Sequence, residues 1–308
     1  MGVVNRFNLM NRRNWIKKSG LLAGTALAVP RLSGSGEQPV SGPALTIAHI
    51  TDVHLRPENG VPDRFLQCLE AVKSHKVDFF LNGGDTINAA DYDDITRERV
   101  LEQWDSWDAC GGSFAAHEVY SCLGNHDMWW AAPDEKDPMY GKDYVVQRLN
   151  MPGRYYSFVK KGWHFIVLDG NNSGIVLDEE QFTWLEQELE NVAADTPVLL
   201  MSHYPVMGVT GRFYPHDQHS DFKKLTALFY KHREKVKVCL SGHMHLLDSA
   251  VYNGVNYFCN GAMSGYWWGE GNELSAGSGY YHQTPPGYAI LKLYENGQAQ
   301  RDYYAHGY

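Results

Sequence analysis

Val236-Lys237-Val238-Cys239-Leu240-Ser241-Gly242-His243-Met244-His245 is a valine-rich apolar run that ends in a glycine and two histidines. Its first five residues, Val236–Leu240, read as a short buried strand. Four other runs end in the same manner. Leu45–Thr51 is followed by Asp52-Val53-His54, and Val77–Leu81 by Asn82-Gly83-Gly84-Asp85. Val119–Leu123 is followed by Gly124-Asn125-His126-Asp127, and Val198–Met201 by Ser202-His203. Helical patterns lie between these runs. They cover Asp63–His75, with Phe65, Leu66, Leu69 and Val72 on one face, and Asp93–Cys110. They recur at Asp178–Val192, with Asp178 as N-cap and Phe182, Leu185 and Leu189 inward, and at Asp221–Arg233. Repeated strand–helix–strand units predict a mainly parallel sheet with helices on its faces. Tyr155–Val159 and Trp163–Leu168 read as a hairpin about Lys160-Lys161-Gly162. From Ser249 onward the pattern is strand-rich, with turns at Asn253-Gly254 and Asn296-Gly297. These add a second, mixed sheet, so the class is α/β and residues 44–308 form one domain.

In such sheets ligands bind beyond the carboxyl ends of the strands. All five runs deliver Asp, Asn or His to that edge. One histidine after a strand is more often structural than functional, but five coincident deliveries are not explained by solvated loop tips. Glycines precede Asp85, Asn125 and His243, where backbone must turn tightly beside a ligand. Imidazole and carboxylate donors without thiolate suit iron, manganese, zinc or cobalt. Seven or eight donors exceed one tetrahedral zinc but suit two divalent or trivalent ions sharing a carboxylate. Two ions roughly 3.5–4 Å apart clamp an in-line displacement at phosphorus and generate hydroxide at neutral pH. The residues by themselves therefore point to two-metal hydrolysis of a phosphate ester.

The blocks Asp52-Val53-His54, Gly84-Asp85, Gly124-Asn125-His126-Asp127, His203 and Gly242-His243-Met244-His245, in this order, resemble the calcineurin-like metallophosphoesterases. All five blocks of that pattern are intact. The resemblance implies a four-layer αββα sandwich of two mixed β-sheets flanked by helices. It also implies that Asp52, His54 and His245 hold one metal, that Asn125, His203 and His243 hold the second, and that Asp85 bridges them. His126 would not ligate; it would serve the leaving oxygen as general acid or stabilise the transition state. Asp127 would orient His126, the alternative being a helix cap. The implied nucleophile is a metal-bridging hydroxide. The purple acid phosphatase branch is disfavoured, because Asn88 stands where that branch has a tyrosine and because His54 is present.

Composition sets outer limits. The 308 residues are 44% hydrophobic and 20% charged, which is globular composition rather than disorder, collagen or coiled coil. No apolar run reaches the ~18 residues of a spanning helix. A net charge of −9 argues against gripping a nucleic-acid polymer or anionic lipid by bulk charge. Asn11-Arg12-Arg13-Asn14-Trp15-Ile16-Lys17-Lys18 precedes a small apolar run, Gly20–Val29, ending near Ala26-Leu27-Ala28. This resembles a twin-arginine signal over residues 1–28, followed by a Pro/Ser/Gly linker over 29–43. It implies the twin-arginine export machinery as a partner and a periplasmic location, with a membrane tether if the signal is uncleaved; Met10 is an alternative start. Residues 1–28 hold five basic and no acidic residues, so their removal takes the formal charge from −9 to −14. The five cysteines show no framework spacing; Cys122 and Cys239 read as core residues, and one disulfide stays open in an exported protein.

Substrate signals are sparse. Trp129-Trp130 follows the Gly-Asn-His-Asp block, and Trp267-Trp268 follows the last histidine by about one hairpin. They could stack a base, cover a lipid or sugar, or pack between the sheets. Arg212, in the loop after His203, could pair with phosphate or stay solvated. The expected substrate is a small phosphate ester, with a lean to phosphodiesters such as nucleotides. The rivals are a phosphomonoesterase or nucleotidase, a metal-free non-catalytic scaffold and a metal store. A scaffold is disfavoured by the complete ligand set. A store is disfavoured by the non-ligating His126.

Overall fold

The computed structural model describes residues 42–265, 267–269 and 284–307. The signal reading over 1–28 and most of the linker lie outside the described residues.

The apolar runs become strands. β1 (Leu45–Ile50), β2 (Phe79–Asn82) and β3 (Val119–Ser121) pair in parallel. β10 (Gly287–Leu293) and β11 (Ala299–Ala305) extend them antiparallel, in the order β11-β10-β1-β2-β3. The second sheet holds β4 (Tyr156–Lys160), β5 (Trp163–Val167), β6 (Val198–Met201), β7 (Val236–Ser241), β8 (Asp248–Tyr252) and β9 (Val255–Cys259). Its order is β4-β5-β6-β7-β9-β8, with parallel pairing from β5 to β9 and an antiparallel strand at each edge. Both sheets are mixed, as expected.

Alternation along the strands assigns the layers. Leu199, Met201, Val238 and Leu240 join the core shared with the first sheet, where Phe79 meets Phe165 edge-on with centroids 5.4 Å apart. Val198, Leu200, Val236 and Cys239 face the other way, onto α4 (Glu179–Asn191) and α5 (Phe222–Lys231). Val236 and Val238, two residues apart, face opposite sides because the register shifts between Val198 and Leu199. On the far side, α1 (Val61–Lys73) and α2 (Arg97–Cys110) cover the first sheet with Phe65, Leu69, Val100 and Trp104. The result is helix, sheet, sheet, helix.

Helix ends differ from the sequence reading for local reasons. α2 starts at Arg97, not Asp93, because the Thr96 hydroxyl accepts from the Arg99 N–H and fixes the cap there. α4 keeps its expected cap, with the Asp178 carboxylate accepting from the Gln181 N–H at 2.9 Å. A short helix, α3 (Lys142–Arg148), was not legible; it follows Gly141 at φ 73° and spans only seven residues. All five cysteines are buried free thiols. No helix among the described residues is long and apolar enough to cross a membrane.

Candidate metal centre

The carboxyl ends of β1, β2, β6 and β7 and the loop after β3 meet at one edge. Asp52, His54, Asp85 and His245 bring ligand atoms within 4.8 Å of one another. Asp85, His203 and His243 do the same, so the two groups share Asp85. Asn125 joins the second group through its Oδ1, 3.1 Å from His203 Nε2. All seven sequence-derived candidates are thus brought together.

The imidazoles are set for ligation. His54 Nδ1 faces the Asn88 carbonyl at 3.0 Å, His203 Nδ1 the Gly83 carbonyl at 2.8 Å and His245 Nδ1 the Gly265 carbonyl at 3.2 Å. A ring nitrogen facing a carbonyl must donate, which makes Nε2 the nitrogen available to a metal. Those Nε2 atoms turn inward. His54 Nε2 lies 3.2 Å from His245 Nε2, and His203 Nε2 lies 3.2 Å from Asp85 Oδ2. Inward-turned ring nitrogens gathered beside the Asp52 and Asp85 carboxylates form a donor set suited to a cation. The donor set therefore fits a binuclear metal centre.

Backbone strain marks the same residues. Asp52 (φ 53°), His54 (φ 46°), Asp85 (φ 51°), His243 (φ 65°) and His245 (φ 52°) all occupy the left-handed region. Each costs roughly 1–2 kcal/mol for a non-glycine residue, and such strain gathers at functional sites. Close approach explains two glycines. A Cβ on Gly124 would lie 1.9 Å from the Asp85 N, and one on Gly242 would lie 2.0 Å from Thr51 Oγ1.

Charge follows burial. Desolvation depresses His54 and His243 to about 3, keeping both neutral, the ligating form. Burial also opposes charge on His203, but Asp85 beside it prevails and raises it to about 9. Asp85 and Asp52 are held below the ordinary carboxylate range by neighbouring histidines, against the penalty of burial. Metal binding displaces protons from such ligands.

The second group of residues needs one correction. Asp127 does not orient His126. Its carboxylate accepts from the backbone N–H of Thr86 at 2.7 Å, Ile87 at 3.3 Å and Gly124 at 2.8 Å, pinning two ligand-bearing turns together. Burial and Asp85 push it up to about 7. Asp91 is the residue that faces His126, its Oδ1 lying 2.6 Å from Nδ1. Desolvation opposes charge on His126, yet Asp85 and Asp91 together raise its pKa. Asp91 was missed because it sits in the irregular stretch Ala89-Ala90-Asp91-Tyr92-Asp93-Asp94, where no periodicity distinguishes one carboxylate from another. The stretch is fixed beside the site by tethers from far away in the chain: the Ala90 N–H donates to the His126 carbonyl at 2.7 Å, and the Gln103 amide bonds both backbone groups of Ala89.

The five substrate-side candidates part company. Trp267 stacks on His54, with centroids 4.1 Å apart and planes 13° apart, and meets His126 edge-on at 4.8 Å. Trp268 is buried, donating its indole N–H to the Val53 carbonyl. Trp129 is buried too, donating to the Ile95 carbonyl under Arg97. Trp130 is exposed and packs on Tyr140. Arg212 is exposed on the loop after β6, and no described contact ties it to the centre. A further constellation, Ser202 Oγ to His219 Nε2 and His219 Nδ1 to Asp221, each 3.0 Å, looks like a nucleophile relay. Ser202 and His219 are fully buried, so it braces the strand end that carries His203.

Comparison with known proteins gives the family and the fold. A model of the calcineurin-like phosphoesterase family matches residues 45–247. A purple acid phosphatase from yellow lupin seeds superposes with a TM-score of 0.62 at 16% identity, covering 86% of this chain and 53% of that one. A dimetal phosphatase from Danio rerio gives 0.56 at 16% identity, covering 85% of this chain and all of the other. GAP50, the anchor in the inner membrane complex of Plasmodium, gives 0.54 at 15% identity, covering 85% of this chain and 84% of that one. At such identities these likenesses establish the fold. No curated sequence matches the chain.

Proposed function

The chain belongs to the calcineurin-like phosphoesterase family, and from that premise we propose that it hydrolyses phosphodiesters, nucleotides among them, at a two-ion site. Hydrolysis of phosphoric ester bonds with metal dependence is the family's chemistry; the diester preference and the residue roles are the proposal. Asp52, His54 and His245 hold one ion, Asn125, His203 and His243 the other, and Asp85 both. The observation that carries this reading is the pair of ligand groups with Asp85 in common. Ions bound there would polarise the phosphoryl oxygens and supply a nucleophile at neutral pH.

The chain's own residues do the rest. His126 keeps Nδ1 on Asp91, which leaves Nε2 to carry a proton toward the leaving oxygen. Its side chain is 17% exposed, so it reaches solvent and substrate, whereas the ligands Asp52, His54 and His203 are sealed. The backbone N–H of His126 donates to Asp85 Oδ1 at 2.9 Å, which ties the acid to the bridging carboxylate.

The test is a pair of variants. His126→Ala keeps both ions and loses most turnover, while Asp85→Ala loses both ions and activity. Equal metal loss in the two refutes the role assignment. Paired assays on an aryl phosphodiester and an aryl phosphomonoester examine the preference, and a clear excess of monoesterase turnover makes the chain a phosphomonoesterase instead. We infer export from Arg12-Arg13 and the apolar run after them. Fractionation of cells making the full chain and an Arg12→Lys/Arg13→Lys variant examines this; equal periplasmic yield of the two would refute it.

A further inference from the structure

We propose that Trp267 is the specificity-determining residue of the site, selecting esters whose leaving alcohol carries a planar ring. The inference rests on the two-ion reading above and adds to it the class of leaving group.

The indole lies where that choice is made. One face is taken by His54, at 4.1 Å and nearly parallel, and the ring meets His126 edge-on at 4.8 Å. His245 is 6.5 Å away. Trp267 therefore touches an ion ligand and the acid that serves the leaving oxygen, with His54 bracing it from behind. The ring is half-buried, unlike the fully buried Trp268 next to it. Tyr92, 48% exposed, stands on His126 as well, with centroids 6.4 Å apart. The leaving-group side is thus bordered by two aromatic rings.

The loop that presents the indole is held against its own strain. Trp267 (φ 50°) and Trp268 (φ 59°) are consecutive bulky residues in the left-handed region, which is a genuine outlier for such side chains. Arg56 donates to the Trp267 carbonyl at 3.2 Å and Arg64 to the Trp268 carbonyl at 3.0 Å. Trp268 is buried as the anchor, its backbone N–H on the Ser264 carbonyl at 2.7 Å. The Gly265 carbonyl of the same loop orients His245. Four separate tethers hold a conformation whose result is one indole fixed over the centre. Backbone strain of this kind persists only where the surroundings over-determine it, and it gathers at functional sites.

A ring stacked on an aromatic side chain gains the equivalent of about tenfold in binding. The test uses the full chain loaded with Mn²⁺, as wild type, Trp267→Phe and Trp267→Leu. Calorimetry compares phenylphosphonate with methylphosphonate, and kinetics compare phenyl and methyl esters of one phosphate. Wild type should bind phenylphosphonate about tenfold tighter than methylphosphonate. Trp267→Phe should keep most of that preference and Trp267→Leu should lose it, with the phenyl-to-methyl ratio of kcat/KM falling in parallel. An unchanged ratio in Trp267→Leu overturns the proposal. So does manganese loss as large as that of Asp85→Ala, which would make Trp267 a support for His54 alone. Failure of the hydrolase reading looks different: wild type would show the phosphonate preference yet turn over neither ester.

Discussion

Replacing Asp91 by Asn tests how much of the catalytic power passes through a residue that touches neither ion site. Asp91 Oδ1 and His126 Nδ1 are 2.6 Å apart, the length of a charge-assisted bond. Such bonds contribute roughly 1.5–3 kcal/mol when shielded. Here the two side chains are 17% and 26% exposed, which moves the expectation to the lower half, about 1.5–2 kcal/mol. If that energy is realised when His126 is charged and aimed, Asp91→Asn slows kcat by roughly 10- to 30-fold. KM should move little, because the side chain is outside both ligand groups. The pH profile gives the sharper readout. Asp91 favours the imidazolium, so its removal lowers the pKa of His126, and a protonated acid is then lost sooner as pH rises. The basic limb should shift to lower pH, with manganese content unchanged. Asp127→Asn is the contrast: its three backbone N–H donors lose a carboxylate, so the variant should melt several degrees lower. Asp91→Asn with wild-type kcat and an unmoved basic limb would refute the reasoning, as would metal loss in that variant.

Two further outcomes follow from buried charge. Ions would engage the inward-turned Nε2 atoms of His54 and His245, and at 100 times Kd a bound ion contributes about 2.7 kcal/mol. At roughly 2–4 °C per kcal/mol, each ion should raise Tm by about 5–10 °C, reversibly by chelation; a Tm unmoved by manganese, zinc, iron and cobalt contradicts the metal centre. His49 is fully buried, its Nδ1 on Asn260 and its Nε2 without a partner among the described residues. Burial depresses it from 6.5 to about 3. The unfolded chain therefore binds a proton that the folded one refuses. The stability concerned is present above pH 6.5 and lost as pH falls toward 3, about 2 kcal/mol by pH 5. His49→Gln should remove that slope, measured as the difference between urea melts at pH 7 and pH 5, and an equal slope in both proteins rules it out.

What could be read from the sequence, and what could not, divides along a physical line. The residues that the structure brings together at the candidate centre were legible because each lies just beyond the end of its strand. Asp52 and His54 leave β1, His203 leaves β6, and His243 and His245 leave β7, so the strand's register fixes where each side chain lands. The layers were legible for the same reason, since alternation within β6 assigns Leu199 to one core and Leu200 to the other. Asp91 and Trp267 come from loops, and a loop's path is set by distant partners: the His126 carbonyl in one case, Arg56, Arg64 and Val53 in the other. No local pattern encodes such tethers. The misreading of Asp127 has the same origin. The family resemblance implied a side-chain partner for His126, with a helix cap as the alternative; in the 3₁₀ turn over Asn125–Asp127 the carboxylate instead caps the Gly124 N–H and takes those of Thr86 and Ile87. The family pattern thus sits on residues at strand ends, while Asp91 and Trp267, which border it, are placed by neighbours far away in the chain. Two chains could share every ligand of this centre and still differ in substrate, because exchanging the loop that holds Trp267 leaves all five strand ends intact.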